Sequence, residues 1–288
     1  MRMILSYLRY NTKLDPKIAY FGTTPSAYCD RVKINTIYSI YRVMEYGDIY
    51  FNNSCFSDCF ESFFENRNKY DAVICANSYI AVAFIKRMNE RDPECVKRLK
   101  TVSFLETEIS KLYYTSVTIA AYNETSIYDS AVKVYKMVNK NDFISSVNIE
   151  LDNEILIRES SGGEMPPNDL FYNSVPAYEY ARSFNYPKQS EYFTEYVNDP
   201  YLKNIVFIDR LLCSSDLTDL KIISAFLNGV KNTEVADQLF ISLQTVHYRS
   251  QAMFKILETE NKRSFIRIIS EYISTPKLNE YIKEKEEQ

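Results

Sequence analysis

Apolar residues in the first 160 positions follow two alternating rhythms. Short runs such as "KIAYFG" (17–22), "IYF" (49–51), "DAVICAN" (71–77), "KTVSFL" (100–105) and "TSVTIAA" (115–121) have the length of buried strands. Between them, "RVKINTIYSIYRVMEYG" (31–47), "CFESFFENR" (59–67), "SYIAVAFIKRMNER" (78–91) and "SIYDSAVKVYKMVNK" (126–140) repeat apolar residues at helical spacing. Gly47 is predicted to stop the first of these helices, and Ser78 to cap the third. "SSVNIELDNEILIRESS" (145–161) is extended and β-rich. Strands alternating with helices across short connections predict βαβ units on a mostly parallel sheet.

The rhythm breaks at "SGGEMPPND" (161–169), which holds two of the five glycines and two adjacent prolines. Such a cluster marks a boundary. Residues 170–201 are crowded with Tyr and Phe, too apolar for a disordered linker, and are expected to pack as short helices against one or both neighbours. Beyond residue 202 there is no strand pattern. The chain therefore divides into an α/β domain (1–161), an aromatic coupling segment (162–210), an all-α domain (211–275) and a charged tail (276–288) expected to fray.

Within the all-α domain, "NTEVADQLF" (232–240) is a short helix with Val235, Ala236 and Leu239 inward. Ala236 is small, as a tight helix crossing requires. Ile241 lies in the turn, and the Ser242 hydroxyl is placed to accept from the backbone N–H of Gln244 or Thr245. The next helix turns Val246, Met253, Ile256 and Leu257 to one face and leaves His247, Tyr248, Gln251 and Lys255 on others. A short helix, a tight turn and a second helix with a polar outer face predict a helix-turn-helix.

Composition narrows the chemistry. An apolar fraction of 46% supports a globular core, and a net charge of −4 confines any nucleic-acid surface to a local patch. Phosphate-cradling motifs are absent, and five glycines leave little room for them. The N-terminal "MRMILSYLRYNTKLD" lacks the apolar core of a signal peptide, and no apolar run reaches membrane-spanning length. The six cysteines form no CxxC pair; Cys55 and Cys59 are expected to be small buried residues in a reducing, cytoplasmic setting. One histidine, His247, leaves no second partner for nucleophilic triads. Neither enzyme chemistry, nor a cofactor, nor a metal site is expected.

Two resemblances add to this reading. "GVKNTEVADQLFISLQTVHYRSQAMFKIL" is similar to the LuxR-type DNA-binding domain, through Gly229, Asn232, Glu234, Val235, Ala236, Leu239, Ile241, Ser242, Thr245, Val246 and Leu257, with Asn261 and Lys262 further on. His247 stands where that pattern usually has Lys, and Glu258 where it has Gly. The resemblance implies a DNA-binding set of Lys231, Thr233, Ser242, Thr245, His247, Tyr248, Arg249, Gln251 and Lys255. His247, Tyr248 and Gln251 would face base edges, and Lys231, Thr233, Thr245, Arg249 and Lys255 phosphates. From 211 to 275, seven basic residues face seven acidic ones, a net charge of zero. A monomer should therefore bind weakly, and a homodimer on two half-sites of double-stranded DNA is expected.

The first half, from "KIAYFG" through "IRESS", is similar to the effector-binding domain of the lactose-repressor family, a periplasmic-binding-protein-like fold. About one lobe of that two-lobed domain is represented. The resemblance implies a small-molecule effector held by Arg31, by Asn77 in "CANS" and by Glu106 in "SFLE". Asn77 also reads as a helix cap, and Arg31 as half of an exposed ion pair. Together these readings predict a sequence-specific transcriptional regulator. The alternative is a protein-interaction module whose helix-turn-helix does not bind DNA.

Overall fold

In the computed structural model of the protein, residues 1–13, 15–24, 28–40, 48–52, 55–140, 147, 149, 153–167, 196 and 198–287 are described. The N-terminal half builds a sheet of order β2-β1-β3-β4-β5-β6. Its strands are β1 (Ile18–Thr23), β2 (Ile49–Phe51), β3 (Ala72–Cys75), β4 (Lys100–Phe104), β5 (Thr118–Tyr122) and β6 (Asn153–Leu156). The first five run parallel, and β6 pairs antiparallel with β5. Each predicted strand is present, and the mostly parallel sheet expected from the alternating pattern is formed.

Period-two alternation sorts side chains to the two faces. Ile18, Tyr20, Ala72, Ile74 and Val102 pack with Ile4, Leu5, Tyr7 and Leu8 of α1 (Arg2–Asn11) and Ile34 and Ile37 of α2 (Tyr28–Ile40). Ala19, Phe21, Val73 and Cys75 face the opposite core. That side is covered by α3 (Phe56–Asn66), α4 (Ser78–Arg91), α5 (Pro93–Arg98) and α6 (Glu108–Leu112). Phe21 and Phe63 meet edge to face at 5.6 Å, and Phe63 and Phe84 at 5.0 Å, so aromatic packing stiffens this layer. Gly22 at φ +74° sits in β1 at its register shift against β2, where α4 comes close: a Cβ there would clash with the Ile80 side chain. Helix α7 (Glu124–Val138) follows β5 in the chain, with Tyr128 and Tyr135 exposed.

Some local expectations are corrected. The cap of α4 is Asn77, whose side chain accepts from the Ile80 N–H at 3.1 Å; Ser78 is the first helical residue and is buried. The run "MRMILSYLRY" forms helix α1, anchored by Tyr7 on Ser161 Oγ at 2.8 Å. Cys59 is buried and Cys55 half-buried. Gly47 and the aromatic residues 170–195 lie outside the described residues.

The C-terminal half is helical: α8 (Lys203–Ser214), α9 (Leu217–Leu227), α10 (Asn232–Leu239), α11 (Leu243–Ile256), α12 (Lys262–Ser270) and α13 (Thr275–Glu287). Helix α8 straddles the boundary drawn at residue 210. Ile205, Val206, Phe207, Ile208, Leu211 and Leu212 bury nearly its whole circumference, and their core is continuous with both halves. Asp209 lies buried in this seam. Its carboxylate accepts from the Ile109 N–H at the start of α6 (3.0 Å) and from Tyr79 Oη on α4 (2.8 Å). Burial raises the Asp209 pKa against the pull of those donors. Asp199, just before α8, accepts from the Phe56 N–H at the start of α3 (2.7 Å).

The charged tail forms a helix that packs on the rest of the protein. Helix α13 buries Leu278 and Ile282, and its apolar side packs on α9. Lys277 donates to the Tyr113 and Tyr114 carbonyls at 3.0 and 2.9 Å and pairs with Glu159. Tyr113 also bridges to Ile273. Two apolar residues four apart outweigh the charged composition that suggested a loose end.

The seam gives a direct test. Asp209→Ala leaves the Ile109 N–H buried without an acceptor and should cost about 2–3 kcal/mol, read as a lower melting temperature. Asp209→Asn keeps an acceptor. A carboxyl whose pKa is raised by folding favours the folded state below its unfolded pKa and loses that contribution as pH rises. The melting temperature of Asp209→Asn relative to wild type should therefore increase as pH rises from about 3 to 7.

Candidate DNA-binding surface

Four helices form the all-α unit. Asp216 caps α9, accepting from the Asp219 N–H at 2.9 Å. Gly229 at φ +77° turns the chain into α10. Val235 and Ala236 of α10 are buried in one core with Val246, Met253 and Phe254 of α11 and Leu257 just after it, and Ser250 of α11 is buried as well. Ser250 is accommodated because its hydroxyl donates back to the Val246 carbonyl at 2.6 Å. Ser242 caps α11 as predicted, accepting from the Thr245 N–H at 3.0 Å. Asn261 caps α12 through the Ser264 N–H at 3.0 Å.

The opposite side of α11 is open. Gln244, His247, Tyr248, Gln251 and Lys255 are exposed, Tyr248 by 78%. At helical spacing they span about a third of the circumference. Lys231 and Thr233 at the start of α10 are exposed as well, while Thr245 is half-buried with its hydroxyl 2.8 Å from Ser242 Oγ. Of the expected set, His247, Tyr248, Gln251 and Lys255 thus share one face, and Ser242 and Thr245 fix its leading end. Gln244 belongs to the same face and was missed. The Ser242 cap places it in the first turn, which was the available signal.

Arg249 departs from expectation. It points away from that face, and its guanidinium donates to Asp216 and Asp219 of α9 at 2.8 and 2.9 Å. Those bonds raise the Arg249 pKa. Burial pushes the Asp216 carboxyl up, but the Asp219 N–H and Arg249 outweigh it and hold it below its ordinary value. Arg249 locks α11 to α9 and is not left over for a phosphate. Lys262 is similarly engaged. It donates to the Val230 carbonyl at 2.7 Å and to Asn232 at 3.0 Å and lies 3.7 Å above the Phe226 ring, while desolvation lowers its pKa. Lys231 and Lys255 form no ion pair among the described residues.

Two described residues of this helical unit hold left-handed backbone without being glycine. Phe240, in the turn between α10 and α11, sits at φ +55°, and Glu258, after α11, at φ +51°. Glu258 closes α11 with the Thr259 N–H reaching back to the Phe254 carbonyl at 2.9 Å, and pairs with Lys203 of α8 at 2.7 Å.

Residues 218–269 match the family model described as bacterial regulatory proteins, luxR family. This segment is a LuxR-family helix-turn-helix domain. In the LuxR-type domain α10 and α11 are the helix pair, and α11 occupies the recognition position. Glu258 keeps the left-handed turn that glycine would make without strain.

The chain is also similar to solved transcription regulators, each matched over about half to three-fifths of its own length. The regulator CelR in complex with cellobiose is 12% identical, TM-score 0.40, covering 51% of this chain and 47% of that one. A LacI family regulator from Clostridium acetobutylicum is 15% identical, TM-score 0.44, over 55% and 60%. CcpA of Lactococcus lactis is 17% identical, TM-score 0.42, over 56% and 63%. No curated protein matches the chain.

The effector residues expected in the α/β half are partly committed elsewhere. Asn77 caps α4 and donates to Tyr196 Oη at 2.9 Å. Tyr196 is itself packed against the core, and burial raises its hydroxyl pKa to about 12. Glu106 pairs with Arg158 and, at 3.6 Å, with Lys111. Arg31 is half-buried on α2. No helix among the described residues is long and apolar enough to cross a membrane, and no cluster of metal-ligating side chains occurs among them.

Two substitutions probe the LuxR-type domain. Glu258→Gly should stabilise it by about 0.5–1 kcal/mol in denaturant unfolding, because relief of left-handed strain outweighs an exposed ion pair. Arg249→Ala should lower the melting temperature by a few degrees, while His247→Ala and Gln251→Ala leave it unchanged within about a degree.

Proposed function

We propose that the protein is a transcriptional regulator that reads double-stranded DNA through α11, with Gln244, His247, Tyr248 and Gln251 toward base edges. Lys231, Thr233, Thr245 and Lys255 face the flanking phosphates. The observation that carries this reading is the open polar face of α11, set on a helix whose apolar side is buried in the protein's own core. Gln can pair bidentately with adenine, and His can donate to a guanine or thymine acceptor. Ser242 and Thr245 leave the α11 N-terminus ordered, an orientation that suits phosphate approach.

The zero net charge of 211–275 supports a dimer on paired half-sites, since one copy has few cations to release counterions. The same neutrality, with Phe240 and Tyr248 exposed, favours a second reading in which this face docks a protein instead. Salt dependence separates the two.

Duplexes recovered from random DNA by the purified chain should bind it with an affinity that falls as salt rises. In fluorescence anisotropy, His247→Ala and Gln251→Ala should each cost about 1–3 kcal/mol and relax preference at one or two base pairs. Lys255→Ala should weaken all duplexes alike and lower the salt slope by about 1. No recovered duplex even at low salt would favour the protein-docking reading.

A further inference from the structure

Three apolar side chains crown the leading end of α11. Phe240 is 95% exposed, Tyr248 78% and Leu243 40%. Phe240 is not a loose surface aromatic. Its backbone is held in a left-handed turn at φ +55°, its N–H bonds back to Asp237, and the next residue, Ile241, bonds to the Ala236 carbonyl at 3.0 Å. Two residues later Ser242 caps α11. The ring is therefore carried on stiff backbone beside the first turn of the recognition helix, the end that meets base edges. Leu243 opens that helix, and Tyr248 lies one turn on along the Gln244 and His247 face. From Phe240 to Tyr248 there is no carboxylate to repel a duplex.

Charge makes this crown informative. Arg249 and Lys262 are spent inside the domain, so the phosphate-directed part of binding is small for a DNA reader. Affinity and selectivity must then rest more on uncharged contacts. In the major groove the one apolar feature that distinguishes base pairs is the thymine 5-methyl group, which side chains such as Phe recognise by contact.

We propose that Phe240 and Leu243 are specificity-determining residues that read thymine methyl groups at the edge of each half-site. This rests on α11 being the DNA-reading helix. Phe240 supplies the ring face and Leu243 the adjoining apolar wall, so that a methyl entering between them leaves water on both sides. The amide and imidazole groups of Gln244, His247 and Gln251 then read the inner base pairs by hydrogen bonding. The resulting site is richer in A·T pairs at its flank than the polar residues alone would select.

Deoxyuridine differs from thymidine by that methyl alone, which gives the test. In the duplex recovered by selection, each thymine is replaced in turn by deoxyuracil, and binding of the full chain is measured by fluorescence anisotropy. At one or more flanking positions, methyl removal should weaken wild-type binding about fourfold. The same replacement should have no effect on Phe240→Ala or on Leu243→Ala at the position that each residue contacts. Both side chains are exposed, so unchanged melting temperatures would show that the variants are folded. A scan with no methyl effect at any thymine, or a methyl effect undiminished in both variants, overturns the assignment while leaving DNA binding intact. Failure to recover any duplex overturns the DNA reading as well, with Phe240 and Leu243 then belonging to a protein contact.

Discussion

The helix Lys203–Ser214 has apolar residues on almost every side, and the rest of the molecule is arranged around that constraint. A helix hydrophobic all round is stable only when enclosed. Here α4 and α6 cover it from the sheet side, and α11 from the other. Apolar burial alone is non-directional and would tolerate sliding. Asp209 supplies direction: its two oxygens fit one N–H on α6 and one hydroxyl on α4. Asp199 does the same at the start of α3. Helix α13 completes the enclosure by returning to Tyr113, Tyr114 and Glu159.

This enclosure determines which charges remain for an outside partner. Residues 211–275 have as many acidic as basic residues, and several of the basic ones work internally: Arg249 on Asp216 and Asp219, Lys262 on the α9–α10 connection, Lys221 on Glu286. A domain that uses its cations as fasteners has a rigid recognition helix and a weak electrostatic field. Those two properties belong together, since the same guanidinium that fixes α11 is withdrawn from its outer face.

Much of this was legible in the sequence. The strands were readable because buried parallel strands are short apolar runs, and α11 because Ser242, Val246, Met253 and Leu257 fall at helical intervals behind a capping residue. What failed to show was tertiary. Asn77 and Ser78 are adjacent polar residues, each able to cap, and only the backbone geometry decides between them. Arg249 looks like any exposed cation until α9 is folded beside it. The α13 tail reads as charged because Leu278 and Ile282 are outnumbered along the chain, although not on the face that packs. Helix α1 was hidden by its mixed composition, with Tyr7 acting as a core residue whose hydroxyl finds Ser161, far away in sequence.

The double attachment of the C-terminal unit, by α8 at one end and by the Tyr113–Ile273 bridge and Lys277 at the other, leaves it no tether slack. In regulators with a flexible linker, two recognition helices can adjust to the distance between half-sites. Here the sheet, α8 and α11 share one continuous core, so in the proposed dimer the angle and spacing between two copies of α11 would be inherited from however the α/β halves meet. In that dimer the larger half would act as a ruler, and one helical repeat of the duplex would become a length that its own surface must measure.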